Sequence, residues 1–122
     1  MILNICYISY INSYLFDIYI MKEKVEVLIA QFNSVVGDLE GNTNRIINII
    51  KKNRSLNSKK IIIFPELALC GYSPEDLLLR KDFSQAIENS INTIKDNIEN
   101  NEYLVLGAPN YQKNIEKIWN SA

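Results

Sequence analysis

Histidine is absent from the 122 residues. That removes Ser-His and Cys-His nucleophile pairs and every His-containing zinc site. Cysteine occurs only at Cys6 and Cys70. Two cysteines make no disulfide scaffold, and no Cys-x-x-Cys pair exists for metal or redox work, so no metal site is expected. Sparse cysteine fits a cytoplasmic compartment. Charge of one sign is also missing: 13 Lys and Arg stand against 14 Asp and Glu, a net charge of −1. Such a balance gives no electrostatic reason to expect nucleic acid or an anionic membrane as partner. Neither an internal repeat nor a low-complexity linker interrupts the chain. What is present, 48% hydrophobic and 22% charged residues, excludes wholesale disorder. Any chemistry must come from carboxylates, lysines, a cysteine, or residues outside this sequence.

Residues 1–20 differ from the rest. Fifteen are apolar or aromatic, four of the seven tyrosines lie here, and no Lys or Arg precedes Lys22. A secretory signal needs a basic start and a small-residue cleavage site, and neither is found. A membrane span of about 20 apolar residues is spoiled by Asn4, Ser9, Asn12, Ser13 and Asp17. The expectation is an N-terminal extension outside the fold over 1–20, with the domain over 21–122; a membrane-surface segment is the alternative.

The remainder alternates. Val25–Phe32 reads as a strand entering a core. Asp38 and Asn42 can each cap the helix that carries Ile46, Ile47, Ile49 and Ile50. Ile61–Phe64 is a short unbroken apolar run closed by Pro65, which predicts a parallel strand buried on both faces. A loop with a short helical turn follows, and Asp82 with Gln85 resembles a capping box. Ile87, Ile91, Ile94 and Ile98 mark a second amphipathic helix. Tyr103–Pro109 reads as a third strand, and Asn110–Ala122 as a hairpin entering a fourth. Strand, helix, strand, helix, strand predicts an α/β fold with a partly parallel sheet. With 20 Ile and 16 Asn the composition leans to AT-rich codons, so a surface Asn or a core Ile carries little weight alone.

Glu66 stands out. It follows a buried parallel strand, and in open α/β folds ligands gather at the carboxyl ends of strands. A carboxylate half-buried there among apolar neighbours can act as a general base. From position alone it reads first as a solvated strand-end acid or a cap for the next turn. Tyr72, after Gly71, reads first as packing of the motif loop, with a substrate-contacting wall as the alternative. Cys70 reads as a small packing residue, Asp76, Arg80 and Asp82 as loop-fixing or interface charges, and Trp119 has no functional argument.

The run Phe64-Pro65-Glu66-Leu67-Ala68-Leu69-Cys70-Gly71-Tyr72-Ser73-Pro74-Glu75-Asp76-Leu77-Leu78-Leu79-Arg80 resembles the nitrilase (carbon–nitrogen hydrolase) superfamily. Within it, Gly71–Leu79 with Arg80, Asp82 and Phe83 is closest to the N-terminal glutaminase domain of glutamine-dependent NAD synthetases. The stretches Ala30–Asn42, Val105–Pro109 and Trp119–Ala122 match that layout. The resemblance covers residues 25–122 and only the first part of the family's domain. It implies the first strand-helix-strand-helix-strand portion of an α-β-β-α sandwich. It also implies a Glu-Lys-Cys triad in which Glu66 is the general base, cysteine attacks glutamine's carboxamide, and lysine holds the oxyanion. The family's lysine and cysteine fall beyond Ala122, and Lys113 and Lys117 come too early. This chain alone is therefore expected to be inactive.

The family's released ammonia serves ATP-dependent amidation of nicotinic acid adenine dinucleotide to NAD in a second domain. ATP and Mg2+ are implied there, with no cofactor in this chain. Glutamine is the implied partner here, and a homo-oligomer is expected at full length. Two rival readings stay open: another carbon–nitrogen hydrolase, an amidase or carbamoylase, against which Pro74–Phe83 argues; and a non-catalytic truncated remnant.

Overall fold

Two stretches with apolar residues at helical spacing fold as helices on one face of a mixed sheet. The computed structural model describes residues 5–11, 13–20, 23–55, 58–111 and 118–121, with 5–24 and 119 described by backbone alone. The strands are β1 (Ile5–Ile11), β2 (Ser13–Ile20), β3 (Glu23–Ile29), β4 (Lys59–Ile63), β5 (Glu102–Val105), β6 (Ala108–Tyr111) and β7 (Ile118–Ser121). The helices are α1 (Leu39–Lys52) and α2 (Lys81–Lys95), with a 3-10 helix at Glu75–Leu79.

α1 begins where Asp38 accepts a hydrogen bond from Gly41 N at 2.9 Å, satisfying one of the free N–H groups of a helix start. Lys51 and Lys52 sit in its last turn, where positive charge complements the helix dipole. α2 begins differently from the expected capping box. Arg80 is its N-cap and makes no side-chain cap. Asp82 pairs instead with Arg80, and Gln85 donates forward to Asn89. A carboxylate beside a guanidinium has a stronger partner than a backbone N–H.

β3, β4 and β5 are parallel neighbours, with Leu28 beside Ile62 and Ile62 beside Leu104. α1 and α2 touch each other, and Ile46, Ile50, Ile87 and Ile94 join Leu28 and Ile62 in one core. The opposite sheet face is less covered. Ile61 and Ile63 are half-buried, and Tyr103 and Val105 are exposed. The expectation that Ile61–Phe64 is buried on both faces therefore holds for one face, because both helices lie on the same side. β3 ends at Ile29; Phe32 lies in the following loop and meets Phe64 edge-on, with ring centroids 6.1 Å apart.

The expected extension is part of the sheet in this structure. β1 pairs with β2 and β2 with β3, all antiparallel. β3 is the first of the parallel strands, so its outer edge has free N–H and C=O groups, and an antiparallel strand satisfies them. β6 and β7 form a separate antiparallel pair; β6 starts at Ala108, so the expected third strand over Tyr103–Pro109 is split between β5 and this pair. No helix among the described residues is long and apolar enough to cross a membrane.

Candidate active site

The carboxyl end of β4 runs through Phe64 and Pro65 into a tight turn. Ala68 N donates to Pro65 O, and Gly71 N to Leu67 O, at 3.2 and 2.8 Å. Leu67, Ala68, Leu69 and Cys70 are all buried, while Glu66 is exposed. The turn thus anchors itself by four consecutive apolar residues and leaves one carboxylate facing outward. Leu67 adopts the left-handed region with φ 51°, a conformation costing about 1–3 kcal/mol that only firm surroundings maintain.

Those surroundings are the loop between β3 and α1 and the first turn of α1. Three successive carbonyls of the turn accept hydrogen bonds from them: Ala68 from Ser34 Oγ, Leu69 from Asn42 Nδ2, and Cys70 from Gly37 N. Asn42 also binds both backbone groups of Val35, at 3.0 Å to its N–H and 2.8 Å to its carbonyl. Asn42 lies fully buried inside α1, so of the two expected caps only Asp38 is one. A buried loop must find partners for its polar groups, and these donors supply them.

Two glycines permit the close approach. Gly71 has φ 77°, and a Cβ there would lie 2.7 Å from Val36 Cα. A Cβ on Gly107 would lie 2.8 Å from Glu66 Cα and 2.7 Å from Leu67 N. The chain leaving β5 therefore presses on the backbone of Glu66. From β7, the Asn120 carboxamide donates to Glu66 Oε1. Tyr111 on β6 donates to Leu78 O at 3.1 Å, joining the hairpin to the 3-10 helix. Burial pushes the Tyr111 phenol up, and nearby Cys70 adds to it.

Glu66 was expected half-buried; it is exposed, because the apolar part of the turn packs beneath it rather than around its carboxylate. Tyr72 is 76% exposed, so it stands out from the loop instead of packing into it. Cys70 is fully buried with Sγ 3.5 Å from Gly71 O. Burial raises its thiol pKa above the ordinary range, and a hydrogen bond from the Cys70 backbone offsets this in part. A buried, protonated thiol is a poor nucleophile, as the packing reading requires. Arg80 and Asp82 form an exposed two-point pair at 3.1 and 2.5 Å. The Arg80 hydrogen bond holds the Asp82 carboxyl below its usual range. A groove of about 590 Å³ runs between α2 and the hairpin, lined by Ile87, Ile91, Leu106 and Tyr111 among others, and Glu66 is not in its wall. The site is thus an exposed carboxylate at the end of a parallel strand, on a turn held by backbone and side-chain hydrogen bonds.

Ser34, Asn42, Gly107 and Asn120 were not recognised from sequence as parts of the site. Gly107 and Asn120 lie in stretches noted only for their layout.

No protein-family model matches this sequence. A glutamine-dependent NAD(+) synthetase of Aquifex aeolicus is 38% identical over 89 residues, 72% of this chain and 15% of that protein. One from Xylella fastidiosa is 46% identical over 63 residues, 52% of this chain and 12% of that protein. The solved structure of glutamine-dependent NAD+ synthetase from Acinetobacter baumannii, in complex with ADP, superposes with a TM-score of 0.63 at 24% identity. That match covers 77% of this chain and 20% of that one, and it carries the fold alone. The chain thus spans less than a fifth of the length of these two curated relatives. By sequence, this chain is a homologue of one part of the glutamine-dependent NAD(+) synthetase family.

Proposed function

We propose that the chain forms the front of a glutamine-hydrolysing site and that Glu66 is its general base. The observation that carries this reading is the placement of Glu66. It is an outward-facing carboxylate behind Pro65 at the end of a parallel strand, on a turn whose backbone is fixed by Ser34, Asn42 and Gly37. Such a group accepts a proton from a thiol as the thiol attacks glutamine's carboxamide carbon. The C–N bond then breaks, the nitrogen leaves as ammonia with the proton returned to it, and water cleaves the thioester to glutamate.

Buried Cys70 does not suit the nucleophile's role, so the reading assigns thiol and oxyanion-holding lysine to residues outside this sequence. It also takes the chain alone to be inactive. Ammonia would serve amidation of nicotinic acid adenine dinucleotide to NAD, with ATP and Mg2+ bound elsewhere, in a cytoplasmic homo-oligomer. Tyr72, exposed beside the turn, is proposed to contact substrate. The domain proper is taken as residues 21–122, with β1 and β2 added at the edge of its sheet.

The test is a chimaera in which residues 25–121 replace the matched segment of the Aquifex aeolicus relative. Glu66→Gln keeps shape and removes the proton acceptor. Ammonia release from glutamine should fall by about 10²- to 10⁴-fold, the usual weight of a positioned base. Unchanged release would leave Glu66 a solvated strand-end acid.

A further inference from the structure

One hairpin holds Glu66 at two points. At the backbone, Gly107 lies so close that a Cβ there would sit 2.8 Å from Glu66 Cα. At the carboxylate, Asn120 Nδ2 donates to Oε1 across a sequence separation of 54 residues. Asn120 pairs with Pro109 in the β6–β7 register, so the strand that departs from Gly107 returns its partner over the same glutamate.

The chemistry of this contact is selective. An ionised carboxylate offers only acceptor sites, and a neutral amide N–H fills one without competing for the proton. Asn120 bonds Oε1, and Oε2 accepts no hydrogen bond among the described residues. A donor on one oxygen fixes the plane of the carboxylate, which otherwise rotates broadly about its last torsion. Proton transfer needs the receiving oxygen within hydrogen-bond reach of the donor, so a fixed plane is worth more to the reaction than to the fold. We infer that Asn120 is a positioning residue for proton transfer at Glu66: it binds Oε1 and leaves Oε2 to take the proton. The inference rests on the reading of Glu66 as the base.

Two measurements test it. In the 122-residue chain itself, the Asn120 carboxamide protons should shift in the NMR spectrum on Glu66→Ala and stay in place on Glu75→Ala. An Asn120 pair indifferent to Glu66→Ala would overturn the contact. In the chimaera, Asn120→Leu should lower kcat for ammonia release by about 10- to 100-fold, the scale of a misplaced reacting group. KM for glutamine should stay within about twofold, since the contact acts in proton transfer rather than in ground-state binding. Asn120→Gln keeps a donor and should recover about half of that loss on a logarithmic scale. Asn120→Asp sets a second carboxylate beside the first, so the acid limb of the kcat/KM profile should move to higher pH; a packing role leaves that limb in place. NAD formation from free ammonia should be unchanged throughout, which reports that the chimaera is folded.

Equal loss with glutamine and with ammonia would make Asn120 a structural residue and overturn the inference, as would an Asn120→Leu kcat within twofold of the parent. If Glu66→Gln abolishes release and Asn120→Leu does not, the inference alone fails. If Glu66→Gln retains full release, the base reading fails and takes the inference with it.

Discussion

The two ends of the parallel sheet solve opposite problems. At the amino end, charge is buried and neutralised in place. Lys60, only 4% exposed, meets Glu26 at 3.2 Å and also donates to Asn53 O. Glu102, at 7%, accepts from Glu99 N at 2.9 Å and faces Arg54 at 3.6 Å. Arg54 in turn reaches Glu99 and Asn97 O. At the carboxyl end the groups that hold the turn carbonyls are neutral. Ser34, Asn42 and the Gly37 N–H bind backbone carbonyls, and the one charge at the turn, Glu66, faces outward. A charge locked among partners stabilises a fold but is costly to move. A carboxylate facing outward on a turn held by neutral donors is open to whatever approaches the strand end. The difference separates an end of paired charges from the end that carries Glu66.

The largest stability effect should come from the amino end. Lys60→Met removes the cation 3.2 Å from Glu26 and the donor to Asn53 O. Breaking a buried pair costs about 3–5 kcal/mol; Glu26 retains some water, so about 3 kcal/mol is expected, read by urea unfolding. Asn42→Leu comes next. It strips one partner from a buried carbonyl and two from the loop at Val35, which can turn partly to solvent, for a loss of about 2 kcal/mol. If Asn42→Leu outweighed Lys60→Met, the neutral platform and not the charge network would be the main structural element.

A smaller effect should appear with pH. Burial raises the Cys70 pKa, so the folded chain holds that proton more tightly than the unfolded one. Stability is then fully present below the ordinary thiol value of about 8.5 and declines as pH rises toward the folded value. Tyr111 acts in the same direction at higher pH. Melting temperature should therefore fall above that range, and the peptide bearing Cys70 should resist alkylation in the native chain at neutral pH. Rapid native labelling would contradict the packing role. The smallest effect is at Arg80 and Asp82. Both are exposed, and exposed pairs are screened by water and salt. Arg80→Gln should leave the unfolding midpoint where it is.

Much of this was legible in the sequence for identifiable reasons. The isoleucine spacing of α1 and α2 fixes which face is buried, and Pro65 after Ile61–Phe64 marks a strand end with Glu66 beyond it. The platform was not legible, because its partners are distant. Asn42 reads as a helix cap until Leu69 arrives 27 residues later, and Asn120 meets Glu66 only through hairpin pairing. In an asparagine-rich chain neither residue advertises itself. The capping box at Asp82 failed because Arg80, two residues back, competes for the same carboxylate. Burial of β4 was overestimated since sequence cannot say that both helices choose one face. Open strand edges likewise accept partners that composition sets aside, as β2 does on β3.

The most direct test of the contrast is the ratio of glutamine-driven to ammonia-driven NAD formation in the chimaera, measured for Glu66→Gln and Lys60→Met side by side. Glu66→Gln should lower this ratio by about 10²-fold or more while ammonia-driven synthesis persists. Lys60→Met should lower both rates together or neither. A ratio unchanged by Glu66→Gln, or one shifted as much by Lys60→Met, would contradict the assignment of chemistry to the carboxyl end.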